Sequence, residues 1–255
     1  MTDVAPLHPS FSCQGRVALV TGASSGFGAR FARVLDSAGA RVIITARRSD
    51  RLDSIAHDLA EPLSLPGDIT DPAHRQGLVD AIRDKFGRLD ILVNNAGVAD
   101  DGLLEDQSLD ELNAVLDVNL VAVLDLCRLA APLLFAAKHA SVVNVASMYG
   151  LVASRGGMAG YNASKGAVVN LTRNLAAQWG TRGVRVNALA PGFFPTEMTG
   201  MLSDEAWAGT ISARTLIGRV PAIADIDGPL LFLASDASSY VTGHTLVVDG
   251  GWTAV

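Results

Sequence analysis

Cysteine is scarce in this chain: only Cys13 and Cys127 occur among 255 residues. Two cysteines are too few for a disulfide scaffold or a cysteine-rich zinc site, and we expect ordinary thiols in a reducing compartment. The five histidines are scattered and form no zinc-binding spacing. The sequence therefore predicts no metal site and a cytoplasmic location.

Basic residues and long apolar runs are also lacking. The chain carries 20 Lys and Arg against 26 Asp and Glu, a net charge of −6, so we expect no nucleic-acid partner. Polar residues interrupt the apolar runs, and we therefore expect no membrane span. Residues 1–14 contain Asp3 and two prolines but no apolar segment. They do not resemble a signal peptide and are predicted to form an N-terminal tail.

What is present is an alternation of apolar segments with helical patterns, in a chain that is 49% hydrophobic. Such a chain can bury a large core. Strands that are apolar on both faces are typical of a parallel sheet covered by helices. We predict an α/β fold: one Rossmann-type, doubly wound domain over residues 15–255, with a mostly parallel seven-stranded sheet and helices on both faces. The predicted strands are 16–21, 41–46, 63–68, 89–97, 141–147, 183–191 and 244–251.

One segment, about 192–224, interrupts this alternation. It contains two phenylalanines, a tryptophan and several glycines, and it follows the sixth predicted strand. Long loops in compact domains are often binding loops or lids, and open α/β sheets bind ligands beyond the carboxyl ends of their strands. We therefore predict that this segment is a substrate lid.

The sequence TGASSGFG, residues 21–28, places three glycines between a predicted strand and a predicted helix. Glycine permits a tight turn and a close approach of the backbone to a pyrophosphate, and the helix N-terminus supplies free N–H groups. The motif therefore indicates a dinucleotide site, with an ordinary strand-to-helix turn as the alternative.

The end of the second predicted strand bears on the choice of cofactor. It reads Thr45-Ala46-Arg47-Arg48, with no acidic residue to accept hydrogen bonds from an adenosine ribose. Guanidinium groups pair well with phosphate. The pattern favours NADP(H), with NAD(H) left open; the alternative is that both arginines are solvated surface charges.

A tyrosine and a lysine lie four residues apart in YNASK, residues 161–165. A helix over 160–181 would place Tyr161 and Lys165 on one face. A neighbouring ammonium lowers the pKa of a phenol, which would make Tyr161 a usable general acid and base. The alternative is a pair on a helix surface.

Two further polar residues stand out. Ser147 ends the fifth predicted strand, where its hydroxyl could donate to a developing alkoxide. The alternative is a serine that only stabilises a turn. Asn119 lies inside an apolar helical pattern, about 108–138. A buried asparagine needs hydrogen-bond partners, so a structural role is open to it as well as a catalytic one.

Taken together, these motifs resemble the short-chain dehydrogenase/reductase family over residues 15–251, nearly the whole chain. The resemblance rests on TGASSGFG (21–28), GDIT (67–70), NNAG (94–97), Asn119, Ser147, YNASK (161–165), PGFFPTEM (191–198) and VDGG (248–251). Two departures are Phe27, where a smaller aliphatic residue is usual, and a Ser147–Tyr161 separation of 14, about one residue longer than usual.

The resemblance implies catalytic roles for four residues. Tyr161 would exchange a proton with the substrate oxygen, and Ser147 would hold that oxygen. Lys165 would bind the nicotinamide ribose and lower the pKa of the tyrosine, and Asn119 would help to position a water. The substrate would be a small carbonyl compound or alcohol, and the assembly a homotetramer.

The resemblance also implies how the cofactor is bound. Asp68 and Ile69 would contact the adenine, Asn95–Gly97 would line the adenosine, and Thr196 would contact the nicotinamide amide. The full expected set is Gly22, Ser24, Ser25, Gly26, Phe27, Gly28, Arg47, Asp68, Ile69, Asn95, Ala96, Gly97, Tyr161, Lys165, Pro191, Gly192 and Thr196.

The predicted substrate pocket is mostly apolar. Arg155 and Arg214 are the two candidate anion-binding residues near it. Reduction of a 3-oxoacyl thioester ranks first by family analogy. Steroids, polyols and other small alcohols stay open, as does a cofactor-binding regulator without turnover. The candidate wall residues are Met148, Tyr149, Phe193, Phe194, Met198, Met201, Leu202 and Trp207.

Overall fold

The computed structural model describes residues 9–154 and 156–255. Seven strands in this part of the chain form one sheet of order β3-β2-β1-β4-β5-β6-β7, and every neighbouring pair is parallel. The predicted fold class is confirmed, with a wholly rather than mostly parallel sheet. The strands are β1 Val17–Thr21, β2 Arg41–Thr45, β3 Leu63–Ser64, β4 Ile91–Asn94, β5 Ala140–Val145, β6 Val184–Pro191 and β7 Thr245–Val248.

Two strands are much shorter than predicted. β3 was expected over 63–68 but has two residues, although the amides of Leu65 and Gly67 still donate to carbonyls of the chain that includes β2. β4 was expected over 89–97 but ends at Asn94, because the following residues turn into a loop held by Thr21. The apolar pattern identified each strand but not the point where its backbone leaves the sheet.

Helices cover both faces of the sheet. One apolar cluster contains Phe31, Leu52 and Leu230 from α1, α2 and α8, and the other contains residues of α3, α5 and α6. The helices are α1 Gly26–Ser37, α2 Ser49–His57, α3 Pro72–Phe86, α4 Leu109–Leu116, α5 Ala122–Ala136, α6 Ala159–Trp179, α7 Glu205–Arg214 and α8 Asp227–Ala234.

The helical pattern at 108–138 forms two helices rather than one. A π-helical turn, Asp117–Val121, separates α4 from α5 and contains Asn119. By length and composition, the stretch Leu109–Ala136 could cross a membrane, with a hydropathy of 1.8 in its most apolar window. In this fold 44% of that window is buried. The sequence analysis expected no membrane span because polar residues interrupt the apolar runs, and Asp117 and Asp125 interrupt this one.

Part of the predicted tail 1–14 belongs to the packed domain. Residues 1–8 lie outside the described residues, whereas Pro9–Phe11 form a 3-10 turn. Cys13 is fully buried, and its amide donates to the carbonyl of Ala38 at 2.8 Å. Burial raises the pKa of Cys13 to about 11 and that of Cys127 to about 12. Neither thiol is therefore a ready nucleophile at neutral pH.

The segment 192–224 is more structured than the predicted long loop. It contains a 3-10 segment, Glu197–Ser203, followed by α7. The carboxylate of Asp204 caps α7 by accepting hydrogen bonds from the amides of Ala206 and Trp207. Ile211 is the buried residue of α7, so the helix lacks the apolar stripe by which an amphipathic helix is recognised in a sequence.

Candidate active site

The carboxyl ends of the strands border a cleft of about 840 Å³. All but two of the residues predicted to bind cofactor or to act in catalysis line it. The exceptions are Gly28, which faces the backbone of Gly22, and Asn119, which is hydrogen-bonded behind the wall of the cleft. The sheet thus brings together residues from widely separated parts of the sequence, as open parallel sheets do at a topological switch point.

The glycine loop needs its glycines for two different steric reasons. Gly22 has a φ of +67°, and a Cβ there would lie 2.8 Å from the Cα of Ala96. Gly28 faces backbone rather than the cleft: a Cβ on it would lie 2.2 Å from the carbonyl oxygen of Gly22. Phe27 turns its ring into the core, stacked on Phe31 at 5.6 Å and edge-on to Phe194 at 5.2 Å between ring centroids. This packing explains how the loop accommodates the unusual phenylalanine.

The NNAG motif holds the ends of β1 and β4 together. The hydroxyl of Thr21 accepts hydrogen bonds from the amides of Asn95 and Ala96, both at 3.0 Å. The side chain of Asn95 in turn donates to the carbonyl of Thr21 at 2.8 Å. These bonds fix the backbone of the loop beside Gly22, where the dinucleotide was predicted to bind.

Tyr161, Lys165 and Ser147 meet at one end of the cleft. Tyr161 and Lys165 project from the buried face of α6 and are 9% and 4% exposed. The ammonium of Lys165 donates to the carbonyl of Val145 at 2.8 Å and lies 5.6 Å from the centre of the Tyr161 ring. The hydroxyl of Ser147 lies close enough to the phenol to lower its pKa, and it accepts a bond from the amide of Tyr149 at 3.1 Å.

The electrostatics of this group differ from the prediction. Burial raises the pKa of Tyr161, and the neighbouring Ser147 hydroxyl only partly opposes that effect. Burial also lowers the pKa of Lys165 to about 8. The expected lowering of the tyrosine pKa is not seen in this structure, because desolvation of the phenol is the largest influence on it. The phenol is therefore protonated at neutral pH and suited to donate a proton.

Asn119 connects two walls of the site. It is 1% exposed, its side-chain oxygen accepts from the amide of Val98 at 2.9 Å, and its side-chain nitrogen donates to the Val98 carbonyl and to the hydroxyl of Ser164. These bonds join the loop after β4 to α6. π-Helical turns are frequent at functional sites. This one orients the side-chain amide of Asn119 so that it reaches both Val98 and Ser164. A water-positioning role for Asn119 stays a prediction.

Asp100 is a site residue that the sequence reasoning missed. Its carboxylate accepts hydrogen bonds from the amides of Gly160 and Tyr161, at 2.9 and 2.8 Å, and from the side chain of Gln107. Burial by itself would raise the pKa of Asp100, but these bonds outweigh it and hold the pKa below its usual value. The carboxylate caps the first turn of α6, whose amides have no partners within the helix.

Two arginines lie at the opposite end of the cleft. Arg47 is exposed, whereas the guanidinium of Arg48 donates to the hydroxyls of Ser24 and Ser25 at 3.1 and 2.7 Å. Of the two, Arg48 therefore makes the direct contact with the glycine loop, although the predicted contact set contained only Arg47. Asp68 lies at the same end, where hydrogen bonds from Thr70 hold its pKa below the usual value.

The predicted substrate wall is only partly assembled from the expected residues. Tyr149, Phe193 and Trp252 form a chain of edge-on aromatic contacts, with centroids 6.0 and 5.2 Å apart. Arg214 lies over the Trp252 ring at 4.0 Å. Trp252, near the end of the chain, was not anticipated.

The other candidate wall residues are scattered. Met148 is buried, Leu202 packs beside the aromatic cluster, and Phe194 packs on Phe27. Met198 and Trp207 are about half exposed, while Arg155 and the Met201 side chain lie outside the described residues.

Comparison with known proteins identifies the family. A family model described as enoyl-(acyl carrier protein) reductase matches residues 22–253. The 3-oxoacyl-[acyl-carrier-protein] reductase FabG of Escherichia coli is 38% identical over 239 residues, which are 93% of this chain and 97% of that protein. The chain belongs to the short-chain dehydrogenase/reductase family. It is an oxidoreductase of the class that acts on CH–OH groups with a nicotinamide cofactor.

Relatives within the family differ in their named substrates. The gluconate 5-dehydrogenase of Gluconobacter oxydans is also 38% identical, over 252 residues that cover 96% of this chain and 98% of that one. A crystal structure of a gluconate 5-dehydrogenase from Burkholderia cenocepacia, in complex with NADP and tartrate, matches with a TM-score of 0.90 and 34% identity. That match covers 96% of this chain and 99% of the other. Family membership therefore leaves the substrate open.

Removing the cap on α6 tests the role of Asp100. Asp100→Ala deprives two helix amides of their acceptor, and we expect it to lower the free energy of unfolding by about 2 kcal/mol. Because Tyr161 supplies one of those amides, kcat should also fall. Asp101→Ala is the matched control, since it removes one exposed neighbouring carboxylate without touching the amides of α6. Equal melting temperatures and kcat values for the two variants would contradict this role.

Lys165→Met tests the cost of burying the ammonium. The pKa of Lys165 falls from 10.5 to about 8 on folding. The folded state thus disfavours the charged form by about 3 kcal/mol below pH 8, and this penalty fades as the pH rises to about 10.5. Allowing about 1 kcal/mol for the lost hydrogen bond, we expect the variant to unfold at a temperature several degrees higher at pH 7.

The stabilisation by Lys165→Met should shrink between pH 8 and pH 10, as measured by thermal denaturation. Lys138→Met, at an exposed lysine, should change the melting temperature little at any of these pH values. Two results would show that the buried ammonium does not destabilise the fold. One is a Lys165→Met variant that is less stable than the parent at pH 7, and the other is a difference in melting temperature that does not vary with pH.

Proposed function

We propose that this protein is an NADP(H)-dependent carbonyl reductase in which Tyr161 is the proton donor. The observation that carries the proposal is the buried phenol of Tyr161, which lines a cleft with Ser147 and Lys165 and lies at the opposite end from the glycine loop. When bound, the cofactor supplies hydride exchange between nicotinamide C4 and the carbon of a carbonyl or secondary alcohol.

The roles of the side chains follow from their positions. In reduction, the hydroxyl of Tyr161 donates its proton to the substrate oxygen while Ser147 holds that oxygen by a hydrogen bond. The ammonium of Lys165 stabilises the phenolate that remains. Because burial raises the pKa of Tyr161, the phenol is kept in the proton-donating form, which supports reduction rather than oxidation as the favoured direction.

The residues around the cleft fit NADP(H). The cleft of about 840 Å³ is lined from Arg48 beside the glycine loop to Tyr161, and Gly22 and the start of α1 offer a close approach for the pyrophosphate. Ala46 stands where an acidic residue would favour NAD(H), and Arg47 and Arg48 follow it. The Burkholderia relative with NADP bound supports the same preference. NAD(H) is the secondary cofactor in this proposal.

The first-ranked substrate class is a 3-oxoacyl thioester. The amide of Tyr149 donates to Ser147, and its ring contacts Phe193, which in turn contacts Trp252. Apolar side chains of this kind suit an acyl chain better than a polyhydroxylated one. The relationship to FabG supports this class. The second candidate is a sugar acid, favoured by the guanidinium of Arg214 over Trp252 and by the gluconate dehydrogenases among the relatives. Segment 192–224 would serve as the lid in either case.

The proposal extends to assembly and location. The exposed apolar side chains of Leu109 on α4, Val121 in the π-helical turn and Leu124 on α5 support an interface between copies of the chain, in line with the predicted homotetramer. The buried, unpaired thiols Cys13 and Cys127 support a reducing compartment such as the cytoplasm.

Reduction assays separate the substrate classes. The purified protein is given NADPH or NADH with acetoacetyl thioester, 3-oxooctanoyl thioester or 5-ketogluconate, and loss of the reduced cofactor is followed by absorbance. We expect NADPH to be preferred and kcat/KM to rise by about two orders of magnitude from the short to the longer thioester. The longer chain has four more methylenes, and burying each contributes about 0.8 kcal/mol. Turnover of 5-ketogluconate alone would favour the second candidate. Binding of NADPH without turnover of any carbonyl compound would contradict the proposal.

A further inference from the structure

An ionic cluster ties the lid segment to the adenosine end of the cleft. Glu197 is the first residue of the 3-10 segment Glu197–Ser203, and its carboxylate pairs with Arg48 at 3.0 Å and with Arg51. The hydroxyl of Ser25 belongs to the same cluster, because it accepts a hydrogen bond from Arg48 at 2.7 Å. Residues of α2, of the glycine loop and of the lid therefore share one anion at the edge of the cleft.

The groups around Glu197 form a set suited to a phosphate. Two guanidiniums and the Ser25 hydroxyl surround the carboxylate, and the Ser24 hydroxyl also contacts Arg48. Guanidinium pairs and hydroxyls at the start of a helix are the groups that proteins use to bind phosphate. They lie after β2 and at the glycine loop, the region where this fold places the adenosine ribose. Neighbouring guanidiniums and Ser25 hold the pKa of Glu197 below its usual value, so its charge persists at neutral pH.

We propose that the carboxylate of Glu197 occupies the place of the cofactor 2′-phosphate and competes with it for Arg48, so that Glu197 limits the selectivity for NADP(H) over NAD(H). This inference rests on the NADP(H) preference proposed above. An NAD(H) molecule has no 2′-phosphate and does not need to displace the carboxylate. Only the phosphorylated cofactor has to break the Glu197 contacts when it binds.

The expected effect is moderate because the cluster is exposed. Glu197 and the two arginines are each about half exposed, and ion pairs of this kind are weak. A phosphate dianion can therefore displace the carboxylate, and we expect removal of the competing charge to tighten binding of a 2′-phosphate about fivefold.

Calorimetric titration of the full chain measures the competition without turnover. The probes are adenosine 2′,5′-bisphosphate and 5′-AMP, which differ only in the 2′-phosphate. Glu197→Gln should tighten binding of the bisphosphate about fivefold and leave that of 5′-AMP unchanged. Glu205→Gln is the matched control: it removes one exposed carboxylate from the same segment, outside the cluster that Glu197 forms with Arg48 and Arg51. In an Arg48→Gln background, the gain from Glu197→Gln should disappear.

The outcomes distinguish this inference from the proposal on which it rests. If the parent prefers the bisphosphate and Glu197→Gln does not change the ratio of the two affinities, the competition is overturned and the NADP(H) preference stands. Equal gains in Glu197→Gln and Glu205→Gln would reduce the effect to net charge and also overturn it. If neither the parent nor Glu197→Gln prefers the bisphosphate, both the NADP(H) preference and the competition are wrong.

Discussion

The common direction of all seven strands is the constraint on which the site depends. Because the strands are parallel, their carboxyl ends lie along one edge of the sheet, and residues that follow them meet there although they are far apart in sequence. β1 and β4 are neighbours although two strands lie between them in the sequence. The hydrogen bonds of Thr21 with Asn95 and Ala96 fix the chain at that point. The glycine loop lies on one side of this junction of β1 and β4, and Ser147, Tyr161 and Lys165 lie on the other.

At one end of this edge, burial determines the pKa values of two ionisable side chains. Lys165 is almost fully buried, with its ammonium bonded to the Val145 carbonyl, and Tyr161 is buried beside it. Desolvation lowers the pKa of the lysine and raises that of the tyrosine, so the pKa of Lys165 falls below that of Tyr161 in this structure. Such an arrangement costs stability, and functional sites commonly carry that cost. Two sets of hydrogen bonds to α6 offset this cost. Asp100 caps its first turn, and Asn119 donates to the hydroxyl of Ser164.

Much of the fold and of the site could be predicted from the sequence. Apolar segments gave the strand count, and the glycine pattern and the tyrosine–lysine spacing located both ends of the cleft. The contacts that depend on tertiary distance could not be predicted. Asp100 lies 61 residues from the amide of Tyr161 and carries no local signal. α7 lacks an apolar stripe, and the pairing of Glu197 with Arg48 joins residues separated by 149 positions.

The electrostatic prediction failed for a related reason. Spacing places Lys165 beside Tyr161, but the sequence does not show how deeply the phenol is buried, and burial decides the direction of its pKa shift. Phe27 is a similar case: its identity departs from the family pattern, and only the rings of Phe31 and Phe194 show where it packs.

The central claim is that Tyr161 transfers the proton, and Tyr161→Phe tests it most directly. The variant keeps the ring and loses only the hydroxyl. NADPH affinity by calorimetry and turnover of the best carbonyl substrate should be measured on the same preparation. The account predicts an affinity within about threefold of the parent and a kcat lower by about 10²-fold or more. A variant that binds NADPH normally and retains full kcat would contradict the account.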